Sequence, residues 1–310
     1  MSVTNIAGTI TTGSSPRALW PGVRTWFGME YDELEKFYDK LYDVRGSEKA
    51  YEIAVEETGF GLAPAKPEGE SVKFDSAKSL GDILTRNIAY ALGFTITREA
   101  IDDNLYRDQD RAYSKALARS MMATKEYKGA MKFANNDTVA DGQALFSTSH
   151  PVIASGTAGT QANILSTQAA LSMAAVEDVL ILIDEMKDAR GLPIKAKAKG
   201  LVVAPKNKFK AMQVTNSFLN PDTPASNVVN PLYGFFKEGT ISNPYFAGLN
   251  DNLWFVKTDV DDAFVHYVRK PLELSRDNEF DTENLKVKAY ERYSFGLNNW
   301  RGAVAGYVAG

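Results

Sequence analysis

The feature that most constrains this sequence is one long helical pattern, residues 97–133, which no proline interrupts. Thr97 is a good N-cap residue, and Glu99, Asp102 and Asp103 place negative charge in the first turns, where the helix dipole favours it. At about 1.5 Å per residue, such a helix runs on the order of 50 Å. Its apolar face is dominated by alanine, so neighbouring elements can pack close to it. The pattern predicts a spine that joins distant contacts, since a compact domain rarely needs so long a helix.

The N-terminal residues 1–30 form an irregular segment that nevertheless carries large apolar side chains. Glycine and proline break any period there, whereas a purely flexible tail is expected to be polar. Trp20, Trp26 and Phe27 therefore need a surface that the segment itself cannot build. We predict a docking arm, followed by a short helix at 31–45.

Residues 51–76 have the pattern of a long hairpin. Two alternating stretches, 51–56 and 72–75, flank a segment rich in glycine and proline, Gly59–Glu70. An isolated two-stranded hairpin is only marginally stable in water. Two explanations of its apolar stripe are equally compatible with the pattern: the hairpin lies on a neighbouring molecule, or it is the edge of an ordinary sheet.

The rest of the chain mixes helical and strand patterns without alternating βα units. Residues 80–96 are apolar, and their pattern leaves the type of element open. Further along the chain the pattern predicts a loop at 155–160, a helix at 167–190, a strand at 201–204, a helix at 206–215, strands at 253–256 and 263–268, and a closing sheet at 280–308. The predicted class is α+β, and a doubly wound nucleotide-binding fold is not indicated.

Charge and cysteine content exclude several classes of protein. The chain of 310 residues has 35 basic and 39 acidic side chains, a net charge of −4, so it lacks the basic surplus of a protein that grips nucleic acid. It has no cysteine, which excludes disulfides and thiol catalysis and fits assembly in a reducing cytoplasm. No secretory signal is evident at the start, and the longest apolar stretch, 179–183, is too short to span a bilayer.

No constellation of catalytic or metal-binding residues stands out. The two histidines, His150 and His266, lack the close spacing of zinc ligands, so structural imidazoles are the better interpretation. Asp259, Asp261 and Asp262 resemble a solvated turn more than a calcium loop, because the glycine and terminal glutamate of such a loop are missing. Phosphate-binding and nucleophile motifs do not occur. We predict no catalytic residue, no metal and no cofactor.

Four stretches of the sequence together resemble one known family. They are PGVRTWFG (residues 21–28), the segment SEKAYE to TGFGLAPAKPEG (47–69), DGQALFSTSHP (141–151) and RDNEFDTENLKVKAYERYSFG (276–296). In this order they resemble the arm, the extended loop, the turn after the spine helix and the closing strands of tailed-bacteriophage major capsid proteins. Those proteins have the capsid fold of the Hong Kong ninety-seven type. A single stretch is weak, but the ordered set is specific.

The resemblance implies a division of the chain. It assigns 1–46 to an N-terminal arm and 47–80 to an extended loop that lies across the next subunit. The peripheral domain would comprise 81–154 and 269–302, with the spine helix 97–133, and the axial domain would comprise 155–268 and 303–310.

The implied function is a shell subunit that forms pentamers and hexamers of an icosahedral head around double-stranded DNA. The implied partners are many copies of itself, portal and scaffold proteins, a decoration protein, and DNA contacted weakly and non-specifically, with no membrane. The subunit would assemble in the bacterial cytoplasm and end in the virion capsid. The expected assembly residues are those of the arm and the loop: Trp20, Trp26, Phe27, Glu52, Glu56, Glu57, Phe60, Leu62, Lys66, Lys73 and Phe74.

Three alternatives remain open at this point. A bacterial nanocompartment shell of the encapsulin type would have the same architecture and an enzyme as cargo. A soluble hydrolase or transferase and a DNA-binding protein are disfavoured by the missing motifs and by the acidic balance. Some family members crosslink a loop lysine to a neighbour, but no sequence feature indicates that Lys66 or Lys73 reacts.

Overall fold

The computed structural model describes residues 27, 28, 30, 31, 34–99, 106–154, 157–220, 228–278 and 284–308. The chain divides into two compact units. Unit 1 comprises Met1–Lys36, Ile88–Glu126 and Val268–Tyr293, and unit 2 comprises Phe37–Asn87, Tyr127–Tyr267 and Ser294–Gly310.

The described residues form a mixed set of helices and strands. The helices are α1 (Tyr38–Leu41), α2 (Tyr106–Ala134), α3 (Met173–Asp184) and α4 (Lys208–Asn216). The strands are β1 (Asp43–Gly46), β2 (Tyr51–Glu57), β3 (Ser79–Arg86), β4 (Ile88–Ile96), β5 (His150–Ala154), β6 (Thr157–Gln161), β7 (Ala198–Val203), β8 (Thr240–Ser242), β9 (Trp254–Thr258), β10 (Phe264–Asn278), β11 (Leu285–Leu297) and β12 (Ala303–Tyr307).

Unit 1 contains strand β4, the parts of β10 and β11 that lie within Val268–Tyr293, and the first part of α2. Strand β11 pairs antiparallel with β4 from Leu285 opposite Ile96 to Tyr293 opposite Ile88. Small side chains on the helix let its apolar face lie close to β11. The buried cluster that results consists of Phe27, Leu117, Ala118, Met121 and Ala289.

Unit 2 contains the most completely buried sheet, with the order β12-β9-β7-β8. In β9, Trp254, Phe255 and Val256 have no exposed surface. The indole of Trp254 lies directly over Gly306, where an added Cβ would be 1.8 Å from the ring. Phe255 stacks on Phe133 with ring centroids 5.0 Å apart. Close aromatic packing of this kind holds the core of the unit.

Strands β2 and β3 form a separate two-stranded sheet. They pair antiparallel from Tyr51 opposite Arg86 to Glu57 opposite Ser79. The segment between them, residues 58–78, contains no strand and no helix. We refer to it as the β2–β3 loop.

The predicted hairpin therefore differs from the observed one. Its first strand is confirmed, but Val72 and Phe74, predicted in the returning strand, lie in the β2–β3 loop. The pairing partner is β3, which starts at Ser79 and belongs to the stretch 80–96, whose type the pattern left open.

Three further predictions are corrected by the structure. The helix predicted at 31–45 is limited to one turn at its centre, α1, and continues as strand β1, because Tyr38, Leu41 and Tyr42 pack into the core of unit 2. The loop predicted at 155–160 contains strand β6 instead, paired with β5. The helix predicted at 167–190 is shorter, from Met173 to Asp184, and begins where the Ser172 hydroxyl accepts a hydrogen bond from the Ala175 N–H.

The spine helix is confirmed in its main part. It runs from Tyr106 to Ala134, whereas residues 100–105 of the predicted helix 97–133 lie outside the described residues. The predicted helix at 206–215 is confirmed as α4, preceded by a turn of 3-10 helix at Pro205–Asn207.

Candidate assembly surfaces

The β2–β3 loop presents large apolar side chains to solvent. Phe74 is 96% exposed and Leu62 is 83% exposed, and Phe60 and Val72 are exposed as well. A contiguous segment of this kind is unusual on a monomer and marks an interaction site. Lys66 and Lys73 lie exposed on the same loop.

The two ends of this loop are held together by a clip between Asp75 and Arg190. Arg190 Nη2 donates to Asp75 Oδ1 at 2.6 Å and to the Ser76 carbonyl at 3.1 Å. Asp75 Oδ2 accepts the Gly61 N–H at 2.9 Å, and Oδ1 accepts the Ser76 N–H at 2.8 Å. These backbone hydrogen bonds, with Arg190, hold the pKa of Asp75 below its ordinary value. The clip fixes where the loop leaves the unit while its apolar tip stays exposed.

The glutamates of β2 have three different environments. Glu56 is buried and forms an ion pair with Arg301, whose Nη1 donates to Oε1 at 2.5 Å. Glu52 is half-buried and accepts a hydrogen bond from the Ser47 hydroxyl at 2.7 Å. Glu57 is exposed. The charge of Glu56 is thus paired inside the unit, and the expected part of the three glutamates in assembly stays a prediction.

The predicted arm residues are only partly described. Trp20 and Trp26 lie outside the described residues. Phe27 is 5% exposed and belongs to the buried cluster of unit 1, where its ring stacks on Tyr31 at 6.1 Å. The ring of Phe27 is thus buried within its own unit, and its expected part in assembly stays a prediction.

A second exposed apolar surface was missed by the sequence interpretation. It lies on and after α4 in unit 2, and its most exposed member is Phe209, at 80%. Its other large members are Phe218, Val229, Tyr233 and Phe235. Phe218 and Tyr233 pack edge to face at 5.7 Å, so these two exposed rings are held against each other. The sequence gives no signal for it, because the same residue types in a loop are equally typical of a buried core.

Both histidines are structural, as predicted. His150 is buried, with Nδ1 2.6 Å from Asp141 Oδ2 and Nε2 3.1 Å from Asn163 Oδ1, and its ring stacks on Trp300 at 4.3 Å. His266 is buried and stacks on Phe295 at 4.6 Å. Each imidazole is enclosed by its neighbours, so neither lines an open site.

Unit 1 contains a buried ion pair on the face of α2. Lys125 Nζ lies 2.6 Å from Glu291 Oε2 and 2.7 Å from the hydroxyl of Tyr31. Burial raises the pKa of Glu291, and Lys125 opposes that rise. The ammonium also lies 5.2 Å from the ring of Tyr293. A paired, enclosed charge of this kind joins the helix to β11.

Among the described residues, no three His, Asp or Glu side chains are grouped as metal ligands. Asp262, in the predicted acidic turn, pairs with Arg45, and Asp259 accepts the Lys197 N–H. No described helix combines the length and hydropathy that crossing a bilayer requires.

Comparison with known proteins gives the family of the chain. A family model described as phage capsid protein matches residues 85–306. No curated protein sequence gives a match. Among solved structures, a virus-like particle from Pyrococcus furiosus superposes with a TM-score of 0.58 at 10% identity, over 92% of this chain and 98% of that chain.

Two phage structures give similar agreement. Mycobacterium phage Patience superposes with a TM-score of 0.55 at 11% identity, over 97% of this chain and 89% of that chain. The capsid of cyanophage P-SCSP1u gives 0.53 at 12% identity, over 98% and 91%. At such identities the superpositions show the fold, and the family model shows the family.

The predicted α+β class and the predicted capsid fold of the Hong Kong ninety-seven type are confirmed by these matches. The chain belongs to the phage capsid protein family: it is a major capsid protein, a structural subunit that builds an icosahedral virion shell from many copies of itself, and not an enzyme.

Proposed function

We propose that this capsid protein assembles into pentamers and hexamers of a phage head that encloses double-stranded DNA. The observation that carries the proposal is the β2–β3 loop, whose four large apolar side chains have no cover within the described chain. Burying a Phe or Leu side chain stabilises a contact by about 1.5–3 kcal/mol. Repeated at every subunit, such a contact is strong enough to hold a closed shell.

The division of the subunit follows from the same proposal. Residues 1–46 act as the arm and 47–80 as the extended loop. The peripheral domain comprises 81–154 and 269–302, and the axial domain comprises 155–268 and 303–310. The packing of 88–126 with 268–293 in one unit supports the peripheral assignment. The second apolar surface, around Phe209, supports an axial contact between copies.

Several assembly residues have distinct roles in this proposal. Phe60, Leu62 and Phe74 supply apolar contact on the neighbour, and Trp20 and Trp26 do so from the arm. Glu52, Glu57, Lys66 and Lys73 set the register more than the strength, because exposed ion pairs contribute only about 0–1 kcal/mol each.

The proposed partners beyond the subunit itself are a portal protein, a scaffold protein and a decoration protein. Packaged DNA is contacted weakly and non-specifically, since a net charge of −4 gives little attraction for phosphate. Assembly takes place in the bacterial cytoplasm, which suits a chain without cysteine.

Negative-stain microscopy of the protein expressed alone and with a scaffold protein tests the proposal. We expect uniform shells, or rings of five and six. Shells that enclose an enzyme instead of DNA would favour a nanocompartment, and a small monodisperse species under every condition would overturn the proposal. Trp26→Ala tests the arm: a folded subunit with reduced particle yield is expected, and an unchanged yield would exclude Trp26 from the contact.

A further inference from the structure

A tight turn after helix α3, residues 187–192, is closed by one carboxylate. Asp188 Oδ1 accepts the N–H groups of Arg190 and Leu192, each at 2.8 Å. The Asp188 N–H donates to the Leu192 carbonyl at 2.7 Å, and Gly191 supplies the positive φ, +81°, near the end of the turn. Aspartate stabilises turns by accepting hydrogen bonds from backbone N–H groups a few residues ahead. The 187–192 turn therefore has a defined conformation that depends on Asp188.

The 187–192 turn is also fixed to the core of unit 2. Ala189 within the turn and Met186 just before it are buried. The Lys187 N–H donates to Gln161 Oε1 on β6 at 3.1 Å, and the Met186 carbonyl accepts the Ile194 N–H at 3.0 Å. Because the turn is held both by apolar contact and by hydrogen bonds, it is a firm support for any segment that binds to it.

The side chain of Arg190 connects this turn to both ends of the β2–β3 loop. Its Nη2 donates to Asp75 and to the Ser76 carbonyl, near the end of the loop, and its Nε donates to the Gly59 carbonyl, near the start, at 3.4 Å. One guanidinium thus joins the two arms of the loop. Its position sets the direction in which the arms leave strands β2 and β3.

A second arginine joins the same turn to strand β2. Arg301 Nε donates to the Lys187 carbonyl at 2.8 Å, and Nη1 donates to Glu56 Oε1 at 2.5 Å. The guanidinium is buried, and its Cζ lies 4.2 Å from the centroid of the Trp300 ring. Hydrogen bonds between charged groups are shorter and stronger than those between neutral groups. The turn is therefore connected to the loop directly, by Arg190, and to the strand that leads into the loop, by Arg301.

The β2–β3 loop has few hydrogen bonds of its own. The Thr58 N–H donates to the Lys78 carbonyl at 2.8 Å where the loop begins and ends, and the Glu70 N–H donates to the Pro67 carbonyl at 3.3 Å near its middle. A segment without helix or strand loses much conformational entropy when a binding partner orders it. A support that fixes the base of the loop beforehand lowers that cost and favours binding.

We propose that Asp188 is a positioning residue for assembly: by holding the 187–192 turn, it places the guanidinium of Arg190 and thereby sets the direction of the β2–β3 loop. The inference rests on the proposed shell function, in which the exposed rings of the loop bind another copy. Asp188 acts through Arg190 and needs no contact of its own with the loop or with a neighbour. Arg301 supports the same turn from the side of β2.

Distances between two spin labels, measured by electron paramagnetic resonance on the unassembled subunit, test the positioning role. The chain has no cysteine of its own, so Ala63→Cys in the loop and Gln213→Cys on α4, both exposed and both in unit 2, can be labelled specifically. We expect Asp188→Ala to make the distribution of distances about twofold wider, because the loop loses its fixed base. Asp188→Asn keeps an oxygen that accepts from both N–H groups, so it should restore most of the original width.

Three further variants separate positioning from a general loss of structure. Asp184→Ala removes an exposed carboxylate four residues earlier and is the matched control, which should leave the width unchanged. Arg190→Ala should widen the distribution without disturbing the backbone of the turn, so it tests the proposal even if Asp188→Ala does not fold. The double variant of Asp188→Ala and Arg190→Ala should be no wider than Arg190→Ala alone. Further widening in the double variant would overturn action through Arg190.

Particle yield connects the position of the loop to assembly. Asp188→Ala should give about tenfold fewer uniform shells than the unmodified protein, and Asp188→Asn should recover most of the yield. An unchanged width of the distance distribution in Asp188→Ala, or a wider distribution with normal shell yield, would overturn the positioning role. Absence of shells from the unmodified protein would instead overturn the proposed function, so the two failures are distinguishable.

Discussion

The β2–β3 loop and the sheet β12-β9-β7-β8 belong to the same unit and use the same kinds of side chain in opposite ways. In the sheet, Trp254 and Phe255 have no exposed surface, whereas Phe74 in the loop is 96% exposed. The sheet removes its aromatic rings from water when the subunit folds. The loop keeps its rings in water until another surface covers them. Folding and assembly thus depend on separate apolar sets, and mutations should separate the two.

The largest effect on folding is expected in the sheet. Phe255→Ala removes a ring that stacks on Phe133 at 5.0 Å and lies 5.4 Å from Phe146. Because the packed surroundings cannot collapse fully into the space, the free energy of unfolding should fall by about 3–5 kcal/mol. Denaturant unfolding of the unassembled subunit measures this. A loss below about 1 kcal/mol would mean that the buried rings of the sheet stabilise the folded subunit no more than the exposed rings of the loop do.

A smaller loss in the free energy of unfolding is expected at a position where the sheet has no space for an added atom. Gly306→Ala would place a Cβ 1.8 Å from Trp254 Cζ2. The indole is held by its hydrogen bond to the Ala169 carbonyl at 2.9 Å, so it cannot rotate away without losing that bond. Overpacking of this kind costs about 1–3 kcal/mol. Gly248→Ala is no suitable control because its φ is +76°, but Gly46→Ala, with open space around it, should unfold like the wild type.

A substitution in the loop should leave the stability of the subunit unchanged and should weaken assembly. Phe74→Ala should change the free energy of unfolding by less than about 0.5 kcal/mol, because the ring makes no buried contact in the subunit. Particle yield should nevertheless fall, since an aromatic ring at an interface centre typically contributes about 2 kcal/mol. Phe255→Ala is the matched aromatic control. A Phe74 variant that is unstable as a subunit, or one that assembles as well as the wild type, would contradict the comparison.

Much of the fold could be predicted from sequence because its signals are local. The helix α2 and the strands β7 and β9 follow from period and propensity alone. The helix predicted at 31–45 failed for a non-local reason. Tyr42 donates a hydrogen bond from its hydroxyl to the Gly129 carbonyl at 2.8 Å, and this tertiary contact holds the chain in an extended form after one helical turn.

The candidate sites were harder to predict, because they depend on contacts between distant residues. Phe74 was expected among the assembly residues, but in the returning strand of a hairpin, so its position in an exposed loop was not predicted. Nothing local indicates that Arg190 joins Asp75, 115 residues away, or that Glu56 pairs with Arg301, 245 residues away. Phenylalanine is a typical core residue, so the exposure of Phe209 and Phe218 is seen only in the structure.

The smallest expected effect concerns the pH dependence of the clip at the base of the loop. Hydrogen bonds from the Gly61 and Ser76 N–H groups, with Arg190, hold the pKa of Asp75 below the ordinary value of 3.8. A carboxyl group whose pKa is lower in the folded state stabilises that state above its unfolded pKa. The contribution is lost as the pH falls through the lower, folded value. The clip should therefore be intact at neutral pH and should open only in acid below about pH 4.

A carboxyl titration followed by NMR measures this, with a midpoint for Asp75 below 3.8 expected in the wild type. In Arg190→Ala the midpoint should rise only part of the way, because the two backbone hydrogen bonds are its larger cause and they remain. Glu291 has the opposite pH dependence. Burial raises its pKa, so its contribution to stability is lost as the pH rises through its pKa in the folded state. If the Asp75 midpoint lay at or above 3.8, the loop would have no fixed base. Its exposed rings would then have to find their partner without the orientation that the clip supplies.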